Sequence, residues 1–508
     1  MEEPFPKSVD VIVLGTGLPE AILASACSRS GLSVLHLDRN EYYGAEWASF
    51  TMTSINDFLN ETNPIRNERS DVDISSFLES DETLVELGDR KLCENIDEGW
   101  IEQPESEEGI ESPEKLLASD FRKFSIDLLP KTLLSRGSMV NTLCDSQVSN
   151  YAEFKLISQI CPVEDDGKIV LHPVPCSKGE IFKSTFLTMM EKRTLMKFHG
   201  LCIQWKLKSE GDEKEIIGEF TDKPFAEFLK SIGYNEKLQN IIINTIGILQ
   251  PKPNTLNGME AACQFMDSVG YFGPSPFLFP VYGCGELTQA FCRLSAVFGS
   301  LYCLGRPVQS LITKENKIVA VIADGQRIDC KHVIMSARYV PSNIETSSKT
   351  EIDRIIYVTK KSINKDEKEQ ISLMNAAALR PDAEITRIIE AGYEACTAPK
   401  GYFLVHGTGT KDSEKTVKSV VDRILNENDI QPLWKLSFNT NSMKFDSSSL
   451  FENMTISPNV DANVHYAKVI EDCVELFCKL WPDRDFLPRS IRKDEDEDHI
   501  TEEVDNKD

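Results

Sequence analysis

The chain has 508 residues, with 55 Lys and Arg against 81 Asp and Glu, and its formal net charge is −26. A chain of this length can bury a sizeable core, and we expect it to form two or more domains. The acidic balance argues against non-specific nucleic-acid binding and against constitutive attachment to an anionic membrane.

The cysteines, the histidines and the two ends of the chain indicate a cytosolic protein without a metal site. The 14 cysteines and 7 histidines are dispersed, with no C-x-x-C pair and no Cys/His cluster at zinc spacing. Reduced thiols are therefore favoured over a disulfide framework. The first residues, M-E-E-P-F-P-K, do not resemble a signal peptide, and the last ones contain no cysteine for lipidation. No apolar run reaches the ~18 residues of a membrane span.

The chain begins with the pattern of a parallel α/β unit. Residues 9–14 form a continuous apolar run, which is typical of a strand buried on both faces. Residues 18–30 predict the crossover helix, and residues 34–38 predict the next parallel strand. We therefore expect a Rossmann-type sheet at the start of the chain.

The glycine turn between this strand and this helix departs from a dinucleotide-binding fingerprint. Gly15 and Gly17 match the first two glycines, but Glu20 stands where the third is needed. A carboxylate there is bulky and brings negative charge close to the place of an anionic pyrophosphate. Asp38 stands where an acid would bind a ribose hydroxyl, but we interpret it as a structural residue at the strand end. The pattern predicts the fold of a flavin- or nicotinamide-binding protein without its cofactor.

The composition of the rest of the chain indicates an acidic insertion, a helical domain within a larger α/β domain, and an acidic tail. Residues 68–114 contain 17 acidic and three basic residues and are predicted to be a flexible acidic insertion. Residues 174–272 have apolar residues three and four apart, which predicts an all-helical domain. This domain interrupts a larger α/β domain of residues 1–173 and 273–487, whose late strands complete the first sheet. The acidic residues 488–508 are predicted to be a disordered tail.

The sequence shows no catalytic motif. It contains no G-x-S-x-G, H-E-x-x-H, G-x-x-x-x-G-K-[ST] or kinase pattern. The stretch H-G-T-G-T at 406–410 is rich in glycine, but it follows a predicted strand, and we interpret it as a turn rather than a phosphate-binding loop. These features favour a binding protein over an enzyme.

Several stretches between residues 9 and 304 form a family pattern in collinear order. They are D-V-I-V-L-G-T-G-L-P-E, V-L-H-L-D-R-N-E-Y-Y-G, I-D-L-L-P-K-T-L-L-S-R-G, N-Y-A-E-F-K, M-E-K-R-T-L-M-K-F and F-P-V-Y-G-C-G-E-L-T-Q-A-F-C-R-L-S-A-V-F-G. With them the chain resembles the superfamily of Rab GDP-dissociation inhibitors and Rab escort proteins. The resemblance implies a flavoprotein-like α/β domain of several sheets with an inserted helical domain, and no cofactor, metal or catalytic residue.

Two features resemble the escort branch more than the inhibitor branch. One is Y-Y-G-A-E-W-A-S-F, with a Trp after the double Tyr, and the other is the long acidic insertion. In escort proteins a Phe and the Arg of E-K-R contact the prenyltransferase, which implies this role for Phe182 and Arg193. Their separation of eleven residues, about three helical turns, would let both lie on one face of a helix. The alternative is that Phe182 is a core residue of an amphipathic helix.

The resemblance also implies a Rab-binding platform. Its residues match Y-Y-G, G-E-L-x-Q-x-F-x-R-L and the two positions after F-G-S, and they are Tyr43, Glu286, Gln289, Arg293, Leu301 and Cys303. Glu286, Gln289 and Arg293 are three and four residues apart, so a helix would present them on one face. Without the resemblance, the alternative is a solvated helix face with a Glu–Arg pair. The chain departs from the family residues at Ala45 and Ser300, where glycine is usual, and at Thr288, where proline is usual.

For function, the resemblance implies a protein that binds newly made, GDP-bound Rab GTPases and presents them to the geranylgeranyltransferase α/β dimer. It would then hold the prenylated Rab in the cytosol and deliver it transiently to membranes. Burial of a lipid is worth ~0.8 kcal/mol per CH₂, so a twenty-carbon prenyl group in water costs on the order of 10 kcal/mol. An apolar groove between the helices would shield it, with Met189, Met190 and Met196 either as adaptable lining or as ordinary core.

Two alternatives remain open at this stage. One is a GDP-dissociation inhibitor that recycles prenylated Rabs and does not support prenylation. The other is a flavin-dependent oxidoreductase, against which Glu20 argues.

Overall fold

The structure is a computed structural model. It describes residues 5–59, 73–91, 93–102, 112–165, 167–207, 218–246, 248–249, 252–364, 370–380, 385–411 and 415–489. We number the helices α1 (Leu18–Arg29), α2 (Met52–Leu59), α3 (Pro113–Leu117), α4 (Ser138–Ser146), α5 (Lys178–Lys183), α6 (Met189–Lys206), α7 (Phe225–Ser231), α8 (Glu236–Ile246), α9 (Thr255–Ser268), α10 (Gly285–Val297), α11 (Val417–Glu427) and α12 (Ala467–Leu480).

The strands are numbered in the same way. They are β1 (Ser8–Leu14), β2 (Val34–Leu37), β3 (Ser49–Phe50), β4 (Glu82–Val85), β5 (Cys93–Trp100), β6 (Ile126–Asp127), β7 (Leu133–Leu134), β8 (Phe154–Leu156), β9 (Gln159–Asp165), β10 (Ile169–Leu171), β11 (Phe277–Pro280), β12 (Leu301–Cys303), β13 (Val308–Lys314), β14 (Lys317–Ala323), β15 (Gln326–Met335), β16 (Thr346–Thr359), β17 (Ser372–Asn375), β18 (Thr386–Gly392), β19 (Phe403–Thr410), β20 (Pro432–Phe445) and β21 (Met454–Ile456).

The first large sheet has the predicted parallel α/β unit at its centre. Its order is β12-β2-β1-β15-β14-β13-β4, and β21 also pairs with β15. β1 runs parallel to β2 and β15, and β12 runs parallel to β2. The residues of β1 after its first positions are almost all buried, as the continuous apolar run predicts. The Rossmann-type strand, turn and helix are therefore confirmed, and later strands complete the sheet.

The second large sheet is mostly antiparallel. Its order is β10-β9-β17-β18-β19-β16-β20-β5, and its two longest strands, β16 and β20, pair along nearly their whole length. A two-stranded sheet of β3 and β6 and a three-stranded sheet of β7, β11 and β8 complete the described strands. The expected flavoprotein-like α/β fold of several sheets is confirmed.

Helices α5 to α9 follow one another between β10 and β11. Buried aromatic rings form much of their core, with centroids of Phe225 and Phe228 5.9 Å apart and Phe198 and Phe225 6.5 Å apart. The Asn375 side chain donates a hydrogen bond of 2.7 Å to the carbonyl oxygen of Asn244, which ties α8 to the second sheet. The bounds of the two domains stay a prediction.

The acidic stretch 68–114 was expected to be flexible, and its described part corrects that expectation. β4 pairs with β13, and β5 pairs with β20. Backbone ladders hold these strands, and basic residues of neighbouring elements pair with some of their carboxylates: Arg327 lies 2.6 Å from Glu82, and Lys435 lies 2.6 Å from Asp97. Residues 68–72, 92 and 103–111 of the stretch, and residues 490–508 of the predicted tail, lie outside the described residues.

The glycine-rich stretch at 406–410 is part of β19 and not a turn, which corrects the sequence interpretation. Its glycines serve close packing. A Cβ on Gly407 would lie 2.6 Å from Cγ2 of Ile355 and 2.8 Å from Cγ1 of Val417. Helix α11 can therefore lie directly against the strand only because the glycine has no side chain.

We expect Gly407→Ala to lower the free energy of unfolding by about 1–3 kcal/mol, because the added methyl group overpacks the contact between β19 and α11. Chemical denaturation measures this loss. Gly99→Ala is the matched control, since a Cβ at Gly99 on β5 meets nothing within 4 Å. Equal losses for the two variants would contradict the packing role.

Candidate functional site

The turn after β1 does not fit a dinucleotide cofactor. The Glu20 side chain is buried and folds back over Gly17, the glycine that a pyrophosphate would have to approach. A Cβ on Gly17 would also lie 3.2 Å from Cδ1 of Trp47. The Ser457 hydroxyl, which follows β21, donates a hydrogen bond to the Glu20 carboxyl. These side chains fill the place that a pyrophosphate would need.

Asp38 is a structural residue, as expected. Its Oδ2 accepts hydrogen bonds from the Thr16 backbone N–H at 2.7 Å and the Thr16 hydroxyl at 2.6 Å. Its Oδ1 accepts from the backbone N–H of Asn40 at 2.8 Å and from the Tyr339 hydroxyl at 3.3 Å. The carboxylate is occupied by its own chain, which leaves no geometry for a ribose hydroxyl.

Glu20 does not carry the negative charge that the sequence analysis expects. Burial raises the pKa of Glu20 to about 8, with a smaller contribution from the neighbouring Glu46 carboxylate included in that value. The side chain is therefore mostly neutral at pH 7. It excludes a pyrophosphate by occupying the space rather than by electrostatic repulsion.

Buried polar groups fix the start of α10, the helix that carries half of the predicted platform. The Asp127 carboxylate on β6 accepts a hydrogen bond of 2.8 Å from the backbone N–H of Cys284, and Ser49 on β3 accepts one of 2.8 Å from the N–H of Gly285. The Ser49 hydroxyl in turn donates to Asp127. These acceptors satisfy the first free N–H groups of the helix, where a carboxylate also suits the helix dipole.

The turn before α10 requires glycine. Gly283 has φ +97°, and a Cβ there would lie 2.6 Å from the Ser49 hydroxyl and 2.8 Å from an Asp127 carboxylate oxygen. Burial raises the pKa of Asp127 to about 6, against the lowering effect of its hydrogen bonds from Ser49 and Cys284. The carboxylate is thus largely ionised at pH 7 and faces the positive end of the helix.

Helix α10 presents the predicted polar residues on one face. Glu286 is half-buried, and Gln289 and Arg293 are exposed. Burial raises the pKa of Glu286. The guanidinium carbon of Arg293 lies 4.6 Å from the ring centroid of Tyr151, a cation–π contact that holds the side chain in place. The predicted helix face is therefore present, and its arginine is paired with an aromatic ring rather than with Glu286.

The remaining predicted platform residues lie beside this helix. Tyr43 follows β2, and its ring centroid lies 6.4 Å from that of Tyr302 on β12. Burial raises the pKa of Tyr43, with smaller effects from Cys292 on α10 and Cys303 on β12. Leu301 is exposed on β12, which is the edge strand of the first sheet. The structure thus brings together the three segments that the sequence assigns to the platform.

Three further residues extend this surface, and the sequence analysis missed them. They are exposed apolar side chains at the two ends of α10: Tyr282 at 57%, Val297 at 64% and Phe298 at 46% exposure. Val297 stands four residues after Arg293, so the helical spacing that selected Glu286, Gln289 and Arg293 could have found it. Tyr282 precedes the helix with φ +67°, which no local sequence pattern signals.

The departures from the family pattern have local consequences. Ala45 has φ +47° next to Gly44 at φ +104°, a backbone conformation that favours the glycine usual at this position. Ser300 is buried and accepts a hydrogen bond of 2.6 Å from Ser295 in the last turn of α10. The hydroxyl therefore supplies an internal contact that glycine cannot make.

Phe182 and Arg193 do not lie on one helix, which corrects the sequence interpretation. Phe182 is in α5 and Arg193 is in α6, and each helix begins with its own capping box, Ser177 with Glu180 and Thr188 with Glu191. The second capping box marks the start of a new helix within the segment, and the first helix ends before it. The Lys192 ammonium donates a hydrogen bond of 2.9 Å to the carbonyl oxygen of Phe182, so the two helix ends adjoin.

The apolar residues at this junction are exposed and do not belong to the core. Phe182 is 64% exposed, and Met189 and Met190 are more than half exposed. Arg193 is exposed on the first turns of α6. The alternative of Phe182 as a core residue is therefore wrong for this structure, because its ring faces solvent. The junction is an apolar surface patch with a basic residue beside it.

An apolar cavity of about 250 Å³ lies among helices α5, α6, α8 and α9. Its lining includes Leu195, Met196, Phe198, Ile241, Ile242 and Phe265. Met196 thus lines a cavity, which is one of the two alternatives left open by the sequence, whereas Met189 and Met190 face solvent. The volume is near the lower end of the ~300–1,000 Å³ of ligand sites.

Within the described ranges there is no group of three or more His, Cys, Asp and Glu that could hold a metal ion. None of the helices that the structure describes is long and apolar enough to cross a membrane.

Comparison with known proteins assigns this fold and these segments to a family. A family model described as GDP dissociation inhibitor matches residues 2–86 and 104–487. A Caenorhabditis elegans protein named Rab proteins geranylgeranyltransferase component A 1 is 56% identical over 498 residues, which cover 97% of each chain. The crystal structure of a Rab GDI from Plasmodium falciparum superposes with a TM-score of 0.71 at 20% identity and covers 95% of this chain and 100% of its own.

A more distant likeness concerns the fold alone. The crystal structure of an oxidoreductase from Methanosarcina mazei has a TM-score of 0.51 at 10% identity and covers 92% of this chain and 99% of its own. The flavoprotein-like architecture is therefore shared, whereas the turn around Glu20 and Trp47 does not fit the cofactor of such enzymes.

We expect the pKa of Glu20 to be visible in the stability of the fold. Its pKa is raised from 4.5 to about 8 in the folded chain, so folded protein keeps a proton that unfolded protein releases between these values. Stability should therefore fall as the pH rises from about 4.5 to about 8, by up to about 1.4 kcal/mol per pH unit from this group. Glu20→Gln, which imitates the neutral acid, should be less sensitive to pH in denaturant unfolding.

The control for this experiment is Glu41→Gln, at an exposed carboxylate. It should keep the pH dependence of the natural chain. If Glu20→Gln and the natural chain lose stability in parallel between pH 5 and pH 8, Glu20 is not held neutral by the fold.

Proposed function

Because the chain belongs to the GDP dissociation inhibitor family, we propose that it acts as a Rab escort protein. In this role it binds unprenylated, GDP-bound Rab GTPases and presents them to the Rab geranylgeranyltransferase α/β dimer. The observation that carries the proposal is the 56% identity, over nearly the whole chain, with a protein named as component A of that transferase. The Rab GDI structure is 20% identical and so supports the fold alone, and a role as a GDP-dissociation inhibitor is not better supported.

The surface around α10 is the proposed Rab-binding platform. It combines an arginine and a glutamine on an exposed helix face with a tyrosine, a leucine and a cysteine on adjoining segments, and its residues are Tyr43, Glu286, Gln289, Arg293, Leu301 and Cys303. Exposed Val297 and Phe298 enlarge its apolar area. A mixed surface of this kind, with aromatic and arginine anchors, is typical of protein–protein interfaces.

The junction of α5 and α6 is the proposed contact with the transferase. Phe182 supplies an exposed aromatic anchor, and Arg193 supplies a nearby charge. Met189 and Met190 extend the apolar area around Phe182 and can adapt to a partner surface. The solvent exposure of these side chains supports a docking role, because a folded chain gains nothing by leaving a phenylalanine in water.

The cavity among the helices is the proposed place of the geranylgeranyl group. Its wall is apolar, and Met196 gives it an adaptable part. Burial of the lipid there would offset the cost, on the order of 10 kcal/mol, of holding a twenty-carbon chain in water. The cavity of about 250 Å³ would have to widen to take the whole lipid.

The chain itself carries out no chemical step in this proposal. The transferase forms the thioether bond, and this protein positions the Rab substrate and then shields the product. We place its work in the cytosol, with transient visits to membranes to deliver the prenylated Rab. The net charge of −26 favours release from an anionic membrane after delivery.

The discriminating experiment is prenylation of a GDP-bound Rab by purified geranylgeranyltransferase, with and without this chain. We expect incorporation of labelled lipid only in the presence of the chain.

We expect Phe182→Ala to abolish recruitment of the transferase in a pull-down while Rab binding is kept, because the aromatic anchor of the α5–α6 junction is lost. Leu116→Ala, at an exposed leucine on α3, is the control.

Two results would count against this reading. Equal prenylation with and without the chain, together with extraction of prenylated Rab from membranes, would indicate a GDP-dissociation inhibitor. Unchanged recruitment in Phe182→Ala would remove Phe182 from the transferase contact.

We expect Arg293→Ala to weaken the affinity for GDP-bound Rab by at least about tenfold, equivalent to about 1.4 kcal/mol. The guanidinium is exposed and held against the ring of Tyr151. The substitution therefore removes a positive charge that is already in position to contact a partner. Isothermal titration calorimetry measures the affinity. Arg122→Ala, at an exposed arginine remote in sequence from the platform segments, should leave it unchanged. Equal affinities of Arg293→Ala and the natural chain would refute the platform assignment.

A further inference from the structure

Two cysteines on facing helices of the inserted region lie against each other. Cys202 on α6 is buried, and Cys263 on α9 is half-buried. The Cys263 thiol donates a hydrogen bond of 3.4 Å to the backbone carbonyl oxygen of Cys202, so the two residues lie side by side across the helix pair. A disulfide can form only between cysteines that are neighbours in space, with Cα atoms about 4.4–6.8 Å apart.

The surroundings give the two thiols different reactivities. The neighbouring Cys202 thiol lowers the pKa of Cys263, and the charge of Lys206 acts in the same direction, against partial burial and the carboxylates of Asp267 and Glu260. The same coupling and burial raise the pKa of Cys202. The accessible sulfur is thus the one that more readily becomes a thiolate, and the protected thiol stands next to it.

We propose that Cys202 and Cys263 form a redox modification site, which hydrogen peroxide converts to a disulfide between α6 and α9. The Cys263 thiolate attacks one peroxide oxygen, the O–O bond breaks, and hydroxide leaves and takes up a proton to become water. The Cys202 sulfur then attacks the resulting sulfenic acid, forms the S–S bond and releases a second water. Two thiols are oxidised, one peroxide is reduced, and a cellular dithiol reverses the reaction.

The disulfide would constrain the walls of the apolar cavity. Met196 and Phe198 of α6 line it shortly before Cys202, and Phe265 and Met266 of α9 line it shortly after Cys263. A covalent bond at this point would hold the two helices at one separation. Since the cavity of about 250 Å³ must widen to take a twenty-carbon lipid, the oxidised chain should bind the lipid less well. This last step rests on the proposed function.

The first experiment maps the bond and does not depend on any function. The full chain is treated with hydrogen peroxide, remaining thiols are alkylated, and peptides are analysed by mass spectrometry. We expect a linked peptide pair of Cys202 and Cys263, lighter by two hydrogen atoms and lost on treatment with dithiothreitol. Cys263→Ser should lack it and Cys144→Ser, at an exposed thiol on α4, should retain it.

The formation of the disulfide and its effect on the cavity are tested separately. A peroxide-treated chain in which Cys202 and Cys263 are both alkylated, or linked to other cysteines, overturns the proposal. The second experiment titrates a fluorescent geranylgeranyl-cysteine with the reduced and the oxidised chain. We expect the oxidised chain to bind about tenfold more weakly, with no such change in Cys263→Ser.

Equal affinity of the two forms, with the bond mapped, overturns the proposed constraint on the cavity. If the reduced chain does not bind the probe at all, the lipid site of the proposed function fails, and the peptide map alone decides the redox site.

Discussion

The buried hydrogen bond from the Cys284 backbone N–H to Asp127 is the contact on which the platform depends. Asp127 and Ser49 belong to paired short strands, and both hold the first residues of α10. The helix is thereby fixed to the large domain at one end, while the hydroxyl of Ser25 on α1 donates a hydrogen bond of 2.7 Å to the carbonyl oxygen of Phe291 farther along. With the helix held at its start and at its middle, the exposed residues of α10 have a defined position without a partner, which reduces the entropy lost on binding.

A second constraint is the closed turn after β1. In a dinucleotide-binding protein this turn opens toward the cofactor, but here it is filled by Glu20 from the first turn of α1 and by Trp47 and Ser457 from farther along the chain. The carboxyl of Glu20 is kept mostly neutral, so the cleft holds no uncompensated charge. The sheet therefore serves as a rigid support. The residues proposed to bind a partner lie on the outside, along α10 and the edge strand β12.

Sequence patterns predicted most regular elements correctly where the signal was local. The apolar run of β1 and the crossover helix α1 both follow from the spacing of their own residues. The sequence patterns gave wrong predictions where contact with a segment far along the chain decides the local structure. The strand β5 is acidic, and it forms because β20 supplies both the hydrogen-bonding partner and the lysine that neutralises Asp97. Likewise Gly407 signals a turn by its type, whereas its place in β19 depends on the approach of α11.

The candidate site likewise has features that follow from local sequence and features that depend on the tertiary structure. The sequence by itself determined the residue types and helical spacing of the platform and the family to which they belong. Only the tertiary structure decided that Tyr43 and β12 lie beside α10, that Tyr282 and Phe298 enlarge the surface, and that Phe182 faces solvent from a separate helix. The physical reason is that spacing along a helix is a local property, whereas exposure and the meeting of Cys202 with Cys263 depend on how distant elements pack.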